Sequence, residues 1–158
     1  MASIHQFTVK GIRGGEIDFS SFAGKKILVV NVASECGLTP QYAQLQDMSV
    51  EFADNLVVVG FPANNFGAQE PGSNEEIQAF CSTKFGVSFP MAAKISVKGD
   101  DIHALYKWLT QKGLNGVQDS EVTWNFQKYL LDEKGELLKV YEPSMEPASE
   151  EILQAILN

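Results

Sequence analysis

Cysteine is scarce in this sequence of 158 residues: Cys36 and Cys81 are the two present. Two thiols are too few for the disulfide framework of a small secreted domain. With His5 and His103 as the two imidazoles, they cannot complete a structural zinc site, so no metal and no cofactor is expected. Basic residues are also short, 12 against 20 acidic, for a formal charge of −8. That balance argues against nucleic acid or an anionic membrane as the main partner, and ordinary solubility accounts for it. No apolar run approaches the ~18 residues of a membrane span. The N-terminus, MASIHQFTVKG, lacks the apolar centre of a signal peptide. The expectation is an intracellular, cytoplasmic protein with no membrane span. Repeats and low-complexity linkers are absent too, so residues 1–158 read as a single domain.

What is present is a core and one unusual loop. Apolar residues make up 44% of the chain, enough to fold around. Lys26 to Val32, KILVVNV, has the length and β-branching of a buried strand. Thr39-Pro40 then reads as a helix start, with Thr39 as N-cap and Pro40 in the first turn. Tyr42, Leu45, Met48 and Phe52 continue it at helical spacing, to about Ala53. Cys36 therefore falls in a strand-to-helix loop, just ahead of unsatisfied backbone donors, where a thiolate is stabilised and becomes a nucleophile. Glu35 works against that charge and is expected to face solvent. Cys81 is better described as a small buried hydrophobe.

Elsewhere, Phe7 to Lys10 and Glu16 to Asp18 suit a short N-terminal β-hairpin. Leu56 to Pro62 is a second buried strand. A Gly/Asn/Pro-rich loop follows it, at a strand end where open α/β sheets place ligands. Ser73 and Glu76 form a capping box for a helix from Asn74 to about Lys84, closed by Gly86. Val87 to Val97 is ambiguous. Asp100 or Asp101 can cap a helix to about Gln111, and Lys112 to Val122 reads as a polar loop. Trp124 to Pro143 reads as a β-hairpin turning at Asp132 to Gly135, and Ser149 caps a last helix. The order resembles the thioredoxin-like layout: an α/β fold with a central mixed sheet flanked by helices. Thr39 holds the position of that fold's second active-site cysteine, so the C-x-x-C dithiol is missing.

Three segments, NVASECGLTPQY at Cys36, GFPANNFGAQEPGSNEEI from Gly60 and WNFQKYLL from Trp124, resemble the glutathione peroxidase family, in matching order along nearly the whole chain. The likeness is to its cysteine-containing, thioredoxin-dependent branch. It implies a thiol peroxidase for hydrogen peroxide and organic or lipid hydroperoxides. Cys36 would be the peroxidatic nucleophile, with Gln69, Trp124 and Asn125 as its active-site partners. Cys81, in a segment like FCSTKFG, falls where thiol-dependent members carry a resolving cysteine. The implied cycle runs from a Cys36 sulfenic acid to a Cys36–Cys81 disulfide, which thioredoxin reduces. Disulfide closure needs Cα atoms within ~7 Å, so the helix carrying Cys81 is expected to unwind in part. Ala63 stands where many relatives have a third cysteine. The short Lys112–Val122 segment implies a monomer with an open site. A glutathione-dependent peroxidase, and a peroxide sensor relaying its disulfide to a partner, are the alternatives. A non-catalytic thioredoxin-fold module fits the motifs poorly.

Overall fold

The structure is a computed structural model that describes residues 3–158. Met1 and Ala2, the start of the segment read above for a leader, lie outside it. An antiparallel pair opens the chain, β1 (Thr8–Lys10) with β2 (Glu16–Asp18), as the sequence predicts. Strand β3 (Lys26–Val32) is buried along its whole length. Helix α1 (Gln41–Glu51) carries the chain across to β4 (Leu56–Pro62), which pairs with β3 in parallel. Helices α2 (Asn74–Phe85), α3 (Ala104–Thr110) and α4 (Lys112–Asn115) come next. The hairpin β5 (Lys128–Leu131) and β6 (Leu137–Tyr141) and the final helix α5 (Glu150–Leu157) complete the order. The sheet reads β4-β3-β5-β6, with β3 parallel to β4 and antiparallel to β5. This is the thioredoxin-like mixed sheet.

Because side chains alternate along a strand, β3 feeds two cores. Leu28, Val30 and Val32 pack with Tyr42, Leu45 and Met48 of α1, Ile77 and Cys81 of α2, and Ile152 and Ile156 of α5. Ile27 and Val29 pack on the other face with Leu105, Tyr106 and Leu109 of α3. Each such side chain contributes about 1.5–3 kcal/mol when fully buried. Cys36 and Cys81 both lie in the first core.

Several boundaries differ from the expectation. Pro40, not Thr39, occupies the N-cap position of α1, because the Thr39 hydroxyl is engaged within the Cys36 loop. Helix α3 is capped by His103, whose Nδ1 accepts from Leu105 N, and not by Asp100 or Asp101. Lys112–Asn115 forms a short helix inside the expected loop. The ambiguous stretch runs beside β4 through an isolated parallel bridge between Met91 and Gly60, and Ala92 bridges to Gly11. Gly60 permits that approach, since a Cβ there would lie 2.5 Å from the Met91 sulfur. Trp124–Gln127 stays outside the hairpin, because Phe126 takes a left-handed backbone with φ of 70°. The α2 capping box forms as read, and Gly86 ends that helix at φ of 58°.

Candidate active site

The end of β3 delivers the chain into a tight loop. Cys36 N donates to Thr39 Oγ1 at 3.0 Å, and that hydroxyl donates to Ala33 O at 2.8 Å. Thr39 N returns to Cys36 O at 3.0 Å. These bonds fold residues 36–39 so that Leu38 N–H points at Cys36 Sγ, 3.3 Å away. The thiol is buried at 8% exposure and free, while Glu35 faces solvent as expected. A backbone donor on sulfur is the feature that steadies negative charge there.

Gln69 and Asn125, 56 residues apart, meet in a side-chain hydrogen bond of 3.0 Å from Asn125 Nδ2 to Gln69 Oε1. Gln69 is tied to the thiol loop as well, its carbonyl accepting from Glu35 N at 3.0 Å. Trp124 packs on Phe66 with ring centroids 5.7 Å apart. It also overlies Gly67, where a Cβ would come within 3.2 Å of the indole and 3.4 Å of Gln69 Nε2. Trp124, Gln69 and Asn125 thus form one cluster beside the Cys36 loop. Among the described residues, Leu38 N–H is the donor hydrogen-bonded to the sulfur itself. The Asn125 amide is spent on Gln69, and Asn125 Oδ1 is buried without a partner.

Asn31 holds this arrangement, and the sequence reading passed over it. Fully buried on β3, it donates from Nδ2 to Trp124 O at 3.1 Å and accepts from Gln127 N at 3.1 Å, while its carbonyl takes Phe126 N at 2.6 Å. An asparagine within the apolar run that follows Lys26 was the available signal, since a buried amide needs partners. Ala68 and Phe126 are the two non-glycine residues with positive φ among those described. Ala68 precedes Gln69 and Phe126 follows Asn125, so backbone strain of about 1–3 kcal/mol each sits beside the cluster, where a functional site tends to store it.

Cys81 lies on α2, buried and free, with its thiol pushed up by burial. The Tyr42 hydroxyl offsets that in part, yet it makes no hydrogen bond of ordinary geometry. Glu70, also passed over, is buried beside a cleft of about 200 Å³ lined by Ser34, Glu35, Ile77 and Phe80. Burial pushes its carboxyl up as well. No cluster of three or more metal-ligating side chains occurs among the described residues, and no described helix is long and apolar enough to cross a membrane.

The Cys36 loop, with a backbone amide on its sulfur and threonine in place of a second cysteine, lies on a thioredoxin-like sheet without the C-x-x-C dithiol of an exchanger. The glutathione peroxidase family model matches residues 4–110. The chain is 44% identical over 147 residues to the glutathione peroxidase homolog BsaA of Halalkalibacterium halodurans, covering 92% of each. It is 40% identical over 153 residues to the hydroperoxy fatty acid reductase gpx1 of Synechocystis, covering 92% of this chain and 89% of that one. The solved structure of Trgpx in its apo form superposes with a TM-score of 0.73 at 36% identity, covering 99% of this chain and 96% of the other. The chain belongs to the glutathione peroxidase family. It is a thiol peroxidase.

Proposed function

We propose that Cys36 is the peroxidatic nucleophile, assisted by Gln69, Trp124 and Asn125, and that Cys81 resolves its oxidised form. The thiolate attacks one peroxide oxygen and the O–O bond breaks. Cys36 becomes a sulfenic acid, and the other oxygen leaves as water or an alcohol after taking a proton. Leu38 N–H supports the sulfur while it carries charge. The amide pair supplies the rest by turning over. Exchanging donor and acceptor preserves the 3.0 Å bond and presents Asn125 Nδ2, in place of its partnerless Oδ1, to the buried site. A donor placed there stabilises the departing oxyanion.

The observation that carries this reading is the presence of both free cysteines in one apolar core, one in a loop and one on a helix packed over the same sheet face. Cys81 then attacks the sulfenic sulfur. A disulfide forms, and the Cys81 proton leaves with the hydroxyl as water. Partial unwinding of α2 brings the two sulfurs together. Hydrogen peroxide and organic or lipid hydroperoxides are the substrates, in keeping with the fatty-acid hydroperoxide activity named for the Synechocystis relative. Thioredoxin is the reductant, which implies a reducing compartment such as the cytoplasm. The single-domain protein works as a monomer, for the segment between α3 and β5 is short, with its α4 turn pinned by Asn115.

Peroxide consumption with a thioredoxin system, and separately with glutathione, tests this. Wild type should turn over with thioredoxin, and Cys36→Ser should consume no peroxide. Activity retained by Cys36→Ser would overturn the nucleophile assignment, and faster turnover with glutathione would overturn the reductant.

A further inference from the structure

Beyond the reacting atoms, the site has a rim with a defined chemistry. Trp124 is 36% exposed and rests on Phe66, which is 6% exposed, making an apolar shelf beside the Gln69–Asn125 pair. Lys98 Nζ stands 5.8 Å from the centroid of the Phe66 ring. The backbone under this lysine is fixed. Ser96 Oγ lies 2.8 Å from Lys98 O, Asn65 Nδ2 donates to Ser96 Oγ at 3.0 Å, and Val97 N donates to Asn65 Oδ1 at 2.9 Å. The cation at the outer edge of the shelf therefore stands on a segment that Asn65 ties to the loop carrying Phe66. The ammonium pairs with Glu121 at 2.9 Å, the two side chains being 46% and 66% exposed. Asp101 Oδ1 lies 2.9 Å from Ser96 Oγ, and Asp100 follows Lys98 two residues along the chain.

We infer that Lys98 anchors the carboxylate of an amphipathic hydroperoxide whose acyl chain lies along Trp124, so that free fatty-acid hydroperoxides are favoured over their neutral esters. The inference rests on the peroxidase reading of Cys36 given above. Two physical points carry it. An exposed ion pair is worth only about 0.2–1 kcal/mol, so a substrate carboxylate can take the place of Glu121 at little cost. The protein's formal charge of −8 repels an anionic substrate in general, and Glu35 stands exposed beside Cys36. An acid must then enter with its hydroperoxide inward and its carboxylate away from Glu35, and Lys98 is the cation on the shelf that receives it. A monoanionic head suits a single ammonium.

The test compares kcat/KM for linoleic acid hydroperoxide and its methyl ester, both below their micellar concentrations. The enzymes are wild type, Lys98→Met and Glu121→Gln, and the ester rate is the internal reference. The acid-to-ester ratio should fall about three- to fivefold in Lys98→Met and rise in Glu121→Gln. Raising the salt to 0.5 M should lower the wild-type ratio relative to that of Lys98→Met, in which only the general repulsion of the acid is left to be screened. A ratio unchanged by either substitution, or lowered by salt equally in wild type and Lys98→Met, would overturn the inference while Cys36-dependent reduction of the ester left the peroxidase reading standing. Absence of Cys36-dependent reduction of both substrates would overturn the two together.

Discussion

Cys36 and Cys81 carry the same side chain and share one apolar core, yet the backbone treats them differently. Around Cys36 the chain is tied down in every direction: Thr39 bridges its N–H to Ala33, Leu38 donates to its sulfur, and Gln69 accepts from its neighbour Glu35. Cys81 sits on a helix that contributes Ile77 and Cys81 as its buried residues. No donor of ordinary geometry reaches its sulfur among the described residues, and burial holds its thiol up. On the roles proposed above, the two thiols divide the labour. A nucleophile needs fixed dipoles before its substrate arrives, whereas a resolving thiol needs an element that can yield.

Removing the yielding thiol should give the largest effect. Cys81→Ser is expected to consume one equivalent of peroxide and then stall as the sulfenic acid, as a dimedone adduct on Cys36 would show. Continued turnover in this variant would erase the distinction between the two sites.

The fixed side can be probed through Lys128. Its Nζ is buried and donates to Pro143 O at 2.8 Å and to Met145 O, and Gln41, the first residue of α1, donates to the same Pro143 carbonyl at 3.0 Å. Desolvation brings this lysine down to about 7, with Glu142 and Glu146 opposing the shift. Below that pH the ammonium is buried in both senses, charged and desolvated, and its cost is present in full. Above it the folded protein has released a proton that the unfolded chain retains until about 10.4. Stability therefore rises with pH in that window, by about 2 kcal/mol from pH 7 to 9. Urea denaturation at the two pH values should show the rise in wild type and its loss in Lys128→Met.

Thr39→Val keeps the shape of the loop but leaves Cys36 N–H and Ala33 O without their partner. The expected loss is about 1–2 kcal/mol of stability, with slower first-turnover oxidation of Cys36. A wild-type rate would mean that the loop does not need this hydroxyl to hold its geometry. The smallest change should act in the opposite direction. Ser73→Ala removes the α2 cap, worth about 1 kcal/mol. If α2 must open for Cys81 to reach Cys36, disulfide closure should quicken by up to about fivefold. Amide exchange in the reduced and oxidised protein checks the same point, since equal protection of Glu76 to Lys84 in both states would reject the opening.

Much of this was legible from local pattern. The β-branched runs of β3 and β4, the Ser73–Glu76 capping box and the turn at Asp132–Gly135 depend on neighbours a few residues away, and all form. The misreadings occurred where a distant or loop partner claimed a side chain. Thr39 looks like a helix cap until Ala33 and Cys36 engage its hydroxyl. Trp124–Gln127 looks like strand until Asn31 grips three of its backbone groups and Phe126 turns left-handed. Lys128 lies in the third motif, and its burial follows from pairing opposite Val30 and Tyr141.

The sequence by itself determined which elements form, which loop presents a thiol and which motifs accompany it, because helix and strand periods, caps and turn residues act over a few positions. Tertiary structure alone decided which atoms meet: the Gln69–Asn125 bond across 56 residues, the Asn31 clamp and the Lys98 rim. The physical reason is that a hydrogen bond is made over about 3 Å. Only sheet register and helix packing bring remote groups within that distance.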